Sequence, residues 1–285
     1  MRIASWNILH GQPLSPPELG QPEQPAQPEQ PAQLEQREHL SQIAQFLVNS
    51  EIELIGLQEI DAFQSRSGEH LQIDELTKDL EALSGVKYFS KYARTVVGTP
   101  GFSWRKLKRD EAEMDFKDEQ PSYGIGLISK SPVKSWHTLQ LGRSLIGLPL
   151  AVPAEGKNGK PRMRFIYVKD EPRIALAAEL ASGLTVVVTH LSFVPLVNLY
   201  QLWRVKRWLR KFPGKHILMG DLNLPFNLPV SKRWRSLNEA KSYPSWGAKV
   251  KFDYLLADFD CTAMPIELPA SGYSDHLPIV ADLKI

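Results

Sequence analysis

Apolar residues recur every three to four positions in three stretches of the chain. Leu40, Ile43 and Leu47 form the first, Leu76, Leu80 and Leu83 the second, and Leu199, Leu202, Val205, Leu209 and Phe212 the third. That spacing lays one apolar stripe along a helix, so three helices are expected, the last stopped by Pro213-Gly214. Elsewhere the apolar runs are short: Leu54 to Leu57, Ile125 to Ser129, Ile174 to Leu180, Leu184 to Thr189, His216 to Gly220, Phe252 to Ala257 and Ile279 to Lys284. Such runs read as buried strands, and the residues leading to Asn7 read as the first of them. Strands outnumber helices, and Ser182-Gly183 joins two of them as a hairpin would, which disfavours a purely parallel doubly wound sheet. The expected class is α/β or α+β, with two packed sheets covered by helices.

One segment follows neither period. Residues 21 to 32 contain Gln-Pro-Glu-Gln-Pro-Ala twice in succession, and Pro22, Pro25, Pro28 and Pro31 recur every third residue. This is the period of polyproline II. With little to bury and no lysine or arginine from Gly11 to Gln36, residues 12–36 are expected to form a surface insertion. A solvated loop is the first reading, and a docking ligand for a protein partner with a proline-binding module the second. Otherwise the 285 residues suit a single domain, expected to be a monomer.

Composition narrows the classes. No apolar stretch approaches the ~18 residues of a membrane span, so a transmembrane segment is not expected. The N-terminus reads as a strand rather than a secretory leader. Cys261, the single cysteine, has no internal disulfide partner, and no Cys/His spacing resembles a zinc site. A reducing cytoplasm is the expected compartment. The net charge of +2 is too mild to argue by itself for a polyanionic partner.

The polar residues that carry chemistry stand at strand ends, where a rigid scaffold can aim them into one cleft. They are Asn7, Glu59, Thr189-His190, Gly220-Asp221-Leu222-Asn223, Asp253 at the start of its run, and Ser274-Asp275-His276 before the last. Mg2+ takes carboxylate and amide oxygens and needs only one or two protein carboxylates, which Glu59 and Asp275 could supply. A carboxylate beside a histidine fixes its tautomer and raises its basicity, as Asp253 could for His276. Taken singly, each Asp or Asn is more often a turn or capping residue, and a lone His216 more often structural. Gly124-Ile-Gly126-Leu-Ile-Ser129 imitates a dinucleotide fingerprint but lacks the third glycine and runs into a strand. Neither Ser192 nor Ser274 sits in a nucleophile elbow.

The ordered set Ser-Trp-Asn7, Leu-Gln-Glu59, Gly-Ile-Gly-Leu-Ile-Ser129, Thr-His190-Leu, Gly-Asp221-Leu-Asn223, Phe-Asp253-Tyr and Ser-Asp275-His276 resembles the endonuclease/exonuclease/phosphatase superfamily. The resemblance implies a DNase I-like four-layer sandwich, two mixed sheets flanked by helices, and a Mg2+-dependent phosphoesterase in which Mn2+ could substitute. Carried over, Glu59 would be the principal metal ligand, with Asn7 and Asp275 completing the site directly or through water. Asp221 would orient or deprotonate the attacking water. His190 and Asn223 would hold nonbridging phosphate oxygens. His276, paired with Asp253, would stabilise the transition state or relay a proton, so the general base stays open. Glu171, within Asp170-Glu171-Pro172-Arg173, resembles the carboxylate that orients the first histidine.

Nucleic acid is the first expectation for substrate. Lys206, Arg207, Arg210, Lys211 and Lys215 cluster in one segment, although this is also how the solvated face of a helix reads. Lys232, Arg233 and Arg235 surround Trp234 on a segment after Asn223 that is expected to overhang the cleft, where cations and an exposed ring could hold phosphates and bases. The run Arg105, Lys106, Lys108 and Arg109 is offset by the acids Asp110, Glu111, Glu113 and Asp115. Phe193-Val194-Pro195 offers an apolar rim that would equally suit a lipid. A lipid or small-molecule phosphoester is therefore the alternative, and a catalytically degenerate binding scaffold the second.

Overall fold

The computed structural model describes residues 1–12, 33–108, 111, 119–155, 161–268 and 273–284. Its elements are β1 (Arg2–Asn7), α1 (Gln33–Asn49), β2 (Leu54–Ala62), α2 (Gln72–Ser84), β3 (Phe89–Gly98), β4 (Trp104–Lys106), β5 (Ser122–Ser129) and β6 (Val133–Gly142). There follow β7 (Leu148–Glu155), β8 (Pro161–Val168), β9 (Arg173–Leu180), β10 (Leu184–His190), α3 (Val197–Leu209), β11 (Lys215–Asp221), β12 (Arg235–Ser236), β13 (Asp253–Ala257), β14 (Thr262–Ile266) and β15 (Ile279–Lys284).

Seven strands form one sheet in the order β14-β15-β1-β2-β5-β3-β4, and six form a second in the order β12-β13-β11-β10-β9-β6. Each is mixed: β1 lies parallel to β2 and β10 to β11, while the other pairs are antiparallel. Alternation along the strands separates three apolar layers. Ile3 and Leu54 face Val188 and Met219 between the sheets. Ala4, Trp6, Ile55 and Leu57 turn the other way, onto Leu40, Ile43 and Leu76 of α1 and α2. Val187, Leu218 and Leu256 pack beneath Leu202, Val205 and Leu209 of α3. The order helix, sheet, sheet, helix is the four-layer sandwich expected. The two sheets approach so closely at Gly56 that a Cβ there would stand 2.7 Å from Met219 Sδ and 2.8 Å from Val188 Cγ2.

The three expected helices and the apolar strands are all present. The β7–β8 hairpin, β3 and β6 were not anticipated. Residues 13–32 of the expected insertion lie outside the described residues, while α1 already begins at Gln33. Among the described residues no helix is long and apolar enough to cross a membrane.

Strand directions give the sandwich two unlike ends. β1, β2, β10 and β11 all finish at one, here the Asn7 end, where β5, β9 and β13 begin. β11 starts at the other, the Lys215 end.

Candidate active site at the Asn7 end

β2 does not stop at Glu59, as the apolar run implied, but continues to Ala62 around a bulge. Gln58 pairs with Ile125 and Ile60 with Gly124, leaving Glu59 unpaired at φ 58°. A bulge residue in the left-handed region re-aims its side chain, and this one turns a carboxylate into the cleft. Asn7, at the end of the neighbouring β1, donates from Nδ2 to Glu59 Oε1 at 2.9 Å and to Asp221 Oδ2 at 3.3 Å. Its Oδ1 accepts the Leu9 N–H at 3.1 Å, which fixes the amide orientation.

Asp221 is where the two sheets meet chemically. Besides Asn7, its Oδ2 lies 3.5 Å from His190 Nε2 and 3.8 Å from His276 Nε2. Its Oδ1 accepts the Asn223 N–H at 3.0 Å, and Asn223, at φ 49°, donates from Nδ2 to the Leu191 carbonyl at 3.1 Å. Asp253 Oδ2 receives His276 Nδ1 at 2.7 Å. Ser274 Oγ donates to the Asn7 carbonyl at 2.6 Å, which ties the Ser274-Asp275-His276 segment to the end of β1.

Burial sets the electrostatics. Asp221 is raised above the usual carboxylate range by burial and by Asp253, against the pull of His276. Burial also raises Asp275 to about 6, with His276 opposing and Glu59 adding. Burial alone would lower His276, but Asp253 beside it reverses that, and Asp221 and Asp275 help leave it raised to about 10. His276 therefore keeps a proton at neutral pH. His190 is pushed far down by burial, then by Arg173 and His276, and stays neutral.

Asp221, Asp253 and His276 each bring a ligand atom within 4.8 Å of the others, a grouping that could hold a metal ion. To serve there His276 would have to give up its Nε2 proton against the pull of Asp253, Asp221 and Asp275. Glu59 and Asp275 offer hard carboxylate oxygens instead, and Asn7, which turns Nδ2 toward Glu59 and gives Oδ1 to the Leu9 N–H, would join them through water. The carboxylates Glu59, Glu171, Asp221, Asp253 and Asp275 outnumber the cations Arg66, Arg173 and His276, and a divalent cation fits that imbalance.

Two expectations are corrected. Glu171 does not orient His190: its Oε1 lies 3.3 Å from Arg173 Nη1, and His190 Nδ1 is buried without a hydrogen-bond partner among the described residues. Arg173 anchors the acidic segment instead. Arg233 and Arg235 do not overhang the cleft, because Arg235 pairs with Ala257, four residues along β13 from Asp253. Arg233 bonds Asp258 at 3.2 Å and Arg235 pairs with Asp260, while their neighbour Lys232 is exposed beside them on the same segment. Trp234 is buried under α3 with Lys206 over its ring, so it is no stacking platform. The segment leaves Asn223 at one end of the sheet and has crossed to the other by Arg233.

His10, Arg173 and Tyr123 were not singled out from sequence. His10 Nδ1 lies 3.9 Å from Glu59 Oε2, in the left-handed region at φ 45°. Tyr123 is raised by burial, then by Glu59 and Glu171. The one available signal was His10's place three residues after Asn7.

The layered sandwich with this cluster at its strand ends is a DNase I-like fold. The model of the Endonuclease/Exonuclease/phosphatase family matches residues 4–276, and the chain belongs to that family of phosphoester hydrolases, some members of which are non-catalytic. Among solved structures, an endonuclease/exonuclease/phosphatase from Bacteroides vulgatus is similar with a TM-score of 0.59 at 16% identity, over 100% of this chain and 98% of the other. A mannosyl-6-phosphatase of Bacteroides thetaiotaomicron is similar at 0.58 and 13% identity, over 100% of both chains. Humanized D. rerio TDP2 is similar at 0.52 and 12% identity, over 100% of this chain and 99% of the other. Likeness at such identities is a likeness of fold. No curated protein sequence matches the chain.

Proposed function

We propose that this protein is a divalent-metal-dependent phosphodiesterase acting on nucleic acid, by in-line attack of water. The observation that supports it best is the convergence of Asn7, His190 and His276 on Asp221 Oδ2, within 3.3–3.8 Å. A phosphodiester resists attack because it is anionic, so the centre must neutralise charge that grows at the nonbridging oxygens. Held by Glu59 with Asn7 and Asp275, Mg2+ or Mn2+ would supply part of that neutralisation. Asp221 orients the attacking water and can take its proton. His190 and Asn223 hold nonbridging oxygens, and His276, its proton retained by Asp253, donates toward the reacting phosphate. Members of this family include non-catalytic ones, but the intact set of acids, amides and histidines favours catalysis. The single cysteine fits a cytoplasmic enzyme.

A lipid phosphoester is the second reading, favoured by Leu196, Phe226 and Trp246, which are exposed on loops around the same centre. A panel of single-stranded oligonucleotide, duplex DNA, phospholipid vesicles and bis(4-nitrophenyl) phosphate, each with Mg2+, Mn2+ or EDTA, tests both. Metal-dependent turnover of the oligonucleotide or duplex is expected. Turnover of vesicles alone would move the assignment to lipid, and no metal-dependent turnover at all would favour a binding scaffold.

A further inference from the structure

An open cavity of about 670 Å³ lies at the Asn7 end of the sandwich, between the β3–β4 turn and the segments flanking the β7–β8 hairpin. Its walls include Phe102, Trp104, Lys106, Arg143, Tyr167 and Lys169. All these segments meet at the Asn7 end: Gly98 of β3 faces Trp104, and Gly142 of β6 faces Arg173. The cavity reaches Asp170, the residue before Glu171, so its wall runs into the acidic segment of the centre.

Its chemistry is aromatic and cationic. Phe102 is 81% exposed and Tyr167 62%, so both present ring faces that the fold does not use. Tyr167 is held by its hydroxyl, which accepts the Gly147 N–H at 2.6 Å. Gly147 has to be glycine for this approach, since a Cβ there would lie 2.0 Å from the Val168 carbonyl. The Arg143 guanidinium sits 5.4 Å over the Trp104 ring and donates to the Asp170 carbonyl at 3.2 Å. The Asp170 carboxylate is taken up inside the protein, by the Ser144 N–H at 2.5 Å and by Arg173 at 3.7 Å. With Arg105 taken up by Glu111, the cations of Lys106, Arg143 and Lys169, the ring faces and the exposed Leu145 are what the cavity shows a ligand.

We propose that this cavity is a second subsite of the substrate, binding an unpaired nucleobase and its adjoining phosphate in a single strand whose scissile phosphate lies at the Asp221 centre. The inference rests on the nucleic-acid reading above. Fixed rings with nearby cations hold single strands, because each base has a face to stack and each link carries a charge. Paired bases expose no such face, and acyl chains have no use for the cations. The subsite thus favours a single strand or a frayed end over closed duplex.

The test uses Phe102→Ala and Lys106→Gln, separately and combined, in the full chain. Both side chains are exposed and lie outside the catalytic cluster. Steady-state kinetics on a labelled 12-nucleotide single strand and on bis(4-nitrophenyl) phosphate are compared with anisotropy of the same strand bound in EDTA, which reads binding without turnover. The combined variant should raise KM for the strand and weaken its binding by about tenfold or more, with kcat within about twofold. Its kcat/KM on the small diester should match wild type. Unchanged strand binding, or equal losses on both substrates, would overturn the subsite. A wild type that turns over the small diester and vesicles but neither binds nor cuts the strand would overturn it too, while leaving phosphoester hydrolysis standing. Absence of metal-dependent turnover on every substrate, with strand binding still sensitive to Phe102, would instead sink the catalytic reading and keep the binding site.

Discussion

The two ends of the sandwich are built to different rules. At the Lys215 end polar groups are mostly paired, the buried Tyr88 hydroxyl being an exception. His216 donates its backbone N–H and Nδ1 to Asp258 at 2.9 and 2.8 Å, Arg233 joins the same carboxylate, and Arg2 binds Asp282 through two hydrogen bonds of 2.9 Å. At the Asn7 end His10 Nδ1, His190 Nδ1, Asp253 Oδ1 and Arg173 Nε are buried without hydrogen-bond partners among the described residues. Backbone strain divides the same way. Of the described non-glycine residues at positive φ, Glu51 alone is at the Lys215 end, while Leu9, His10, Glu59, Phe63, Glu69, Leu196, Asn223, Phe226 and Asn227 are at the other. Strain and unpaired polar atoms cost stability, and a fold tolerates them where they position reacting groups.

If that division is right, substitutions at the Asn7 end should remove activity and spare the fold, and those at the Lys215 end the reverse. The largest effect is expected for Glu59→Gln, which deletes the charge of the proposed metal ligand at nearly constant shape. Losing several kcal/mol of transition-state stabilisation would lower kcat by roughly a thousandfold, with little change in Tm. Wild-type Mg2+ binding by calorimetry together with wild-type turnover would sink the assignment.

Next come His276→Ala and Asp253→Asn. Each should lower kcat by roughly a hundredfold or more, and the double variant by far less than the product. On the proposed roles Asp253 acts through His276, to which it is bonded, so once either is gone the other has little left to contribute. Multiplicative losses would show that the 2.7 Å contact serves packing alone.

At the opposite end, Asp258→Asn should leave kcat and KM unchanged while costing about 1–3 kcal/mol, because His216 and Arg233 lose a charged acceptor. For a chain of this size that lowers Tm by about 2–4 °C per kcal/mol. A loss of activity without a change in Tm would dissolve the distinction between the ends.

How much of this was legible beforehand follows from the range of each signal. Local periodicity marked α1, α2, α3 and the wholly apolar strands, since burial on both faces leaves an uninterrupted run. It missed β6, an edge strand whose Val-Lys-Ser-Trp-His-Thr-Leu-Gln is mostly half-buried, and β3, which buries Arg94 and Tyr92. Strand-end polar residues were legible because parallel strands bring their C-terminal ends together. What failed needed a path through space. Arg233 and Arg235 follow Asn223 by ten and twelve residues, enough to cross the sheet, and no local feature reports the crossing. Glu171 was matched to His190 by motif, whereas the nearest cation, Arg173, took it two residues later.

The smallest expected effect concerns His39, a buried group at the Asn7 end that is not part of the centre. It is on α1, its Nε2 3.3 Å from the Tyr273 carbonyl and its ring edge-on to the Tyr273 ring at 5.1 Å. Burial lowers its pKa, more than the Tyr273 carbonyl raises it. Because the folded value lies below the unfolded one of about 6.5, the unfolded chain takes up a proton first as pH falls. The contribution of His39 is therefore fully present above about pH 6.5 and is lost as pH drops through the folded value. His39→Gln keeps a hydrogen-bonding side chain without a titrating ring. Denaturant midpoints from pH 7.5 to 5.5 should then fall less steeply in the variant than in wild type, with a difference of at most about 1 kcal/mol at the acid end. Parallel curves would mean that His39 titrates alike in both states, and that the acid sensitivity of this end arises from other groups, among them His10, whose pKa burial also lowers.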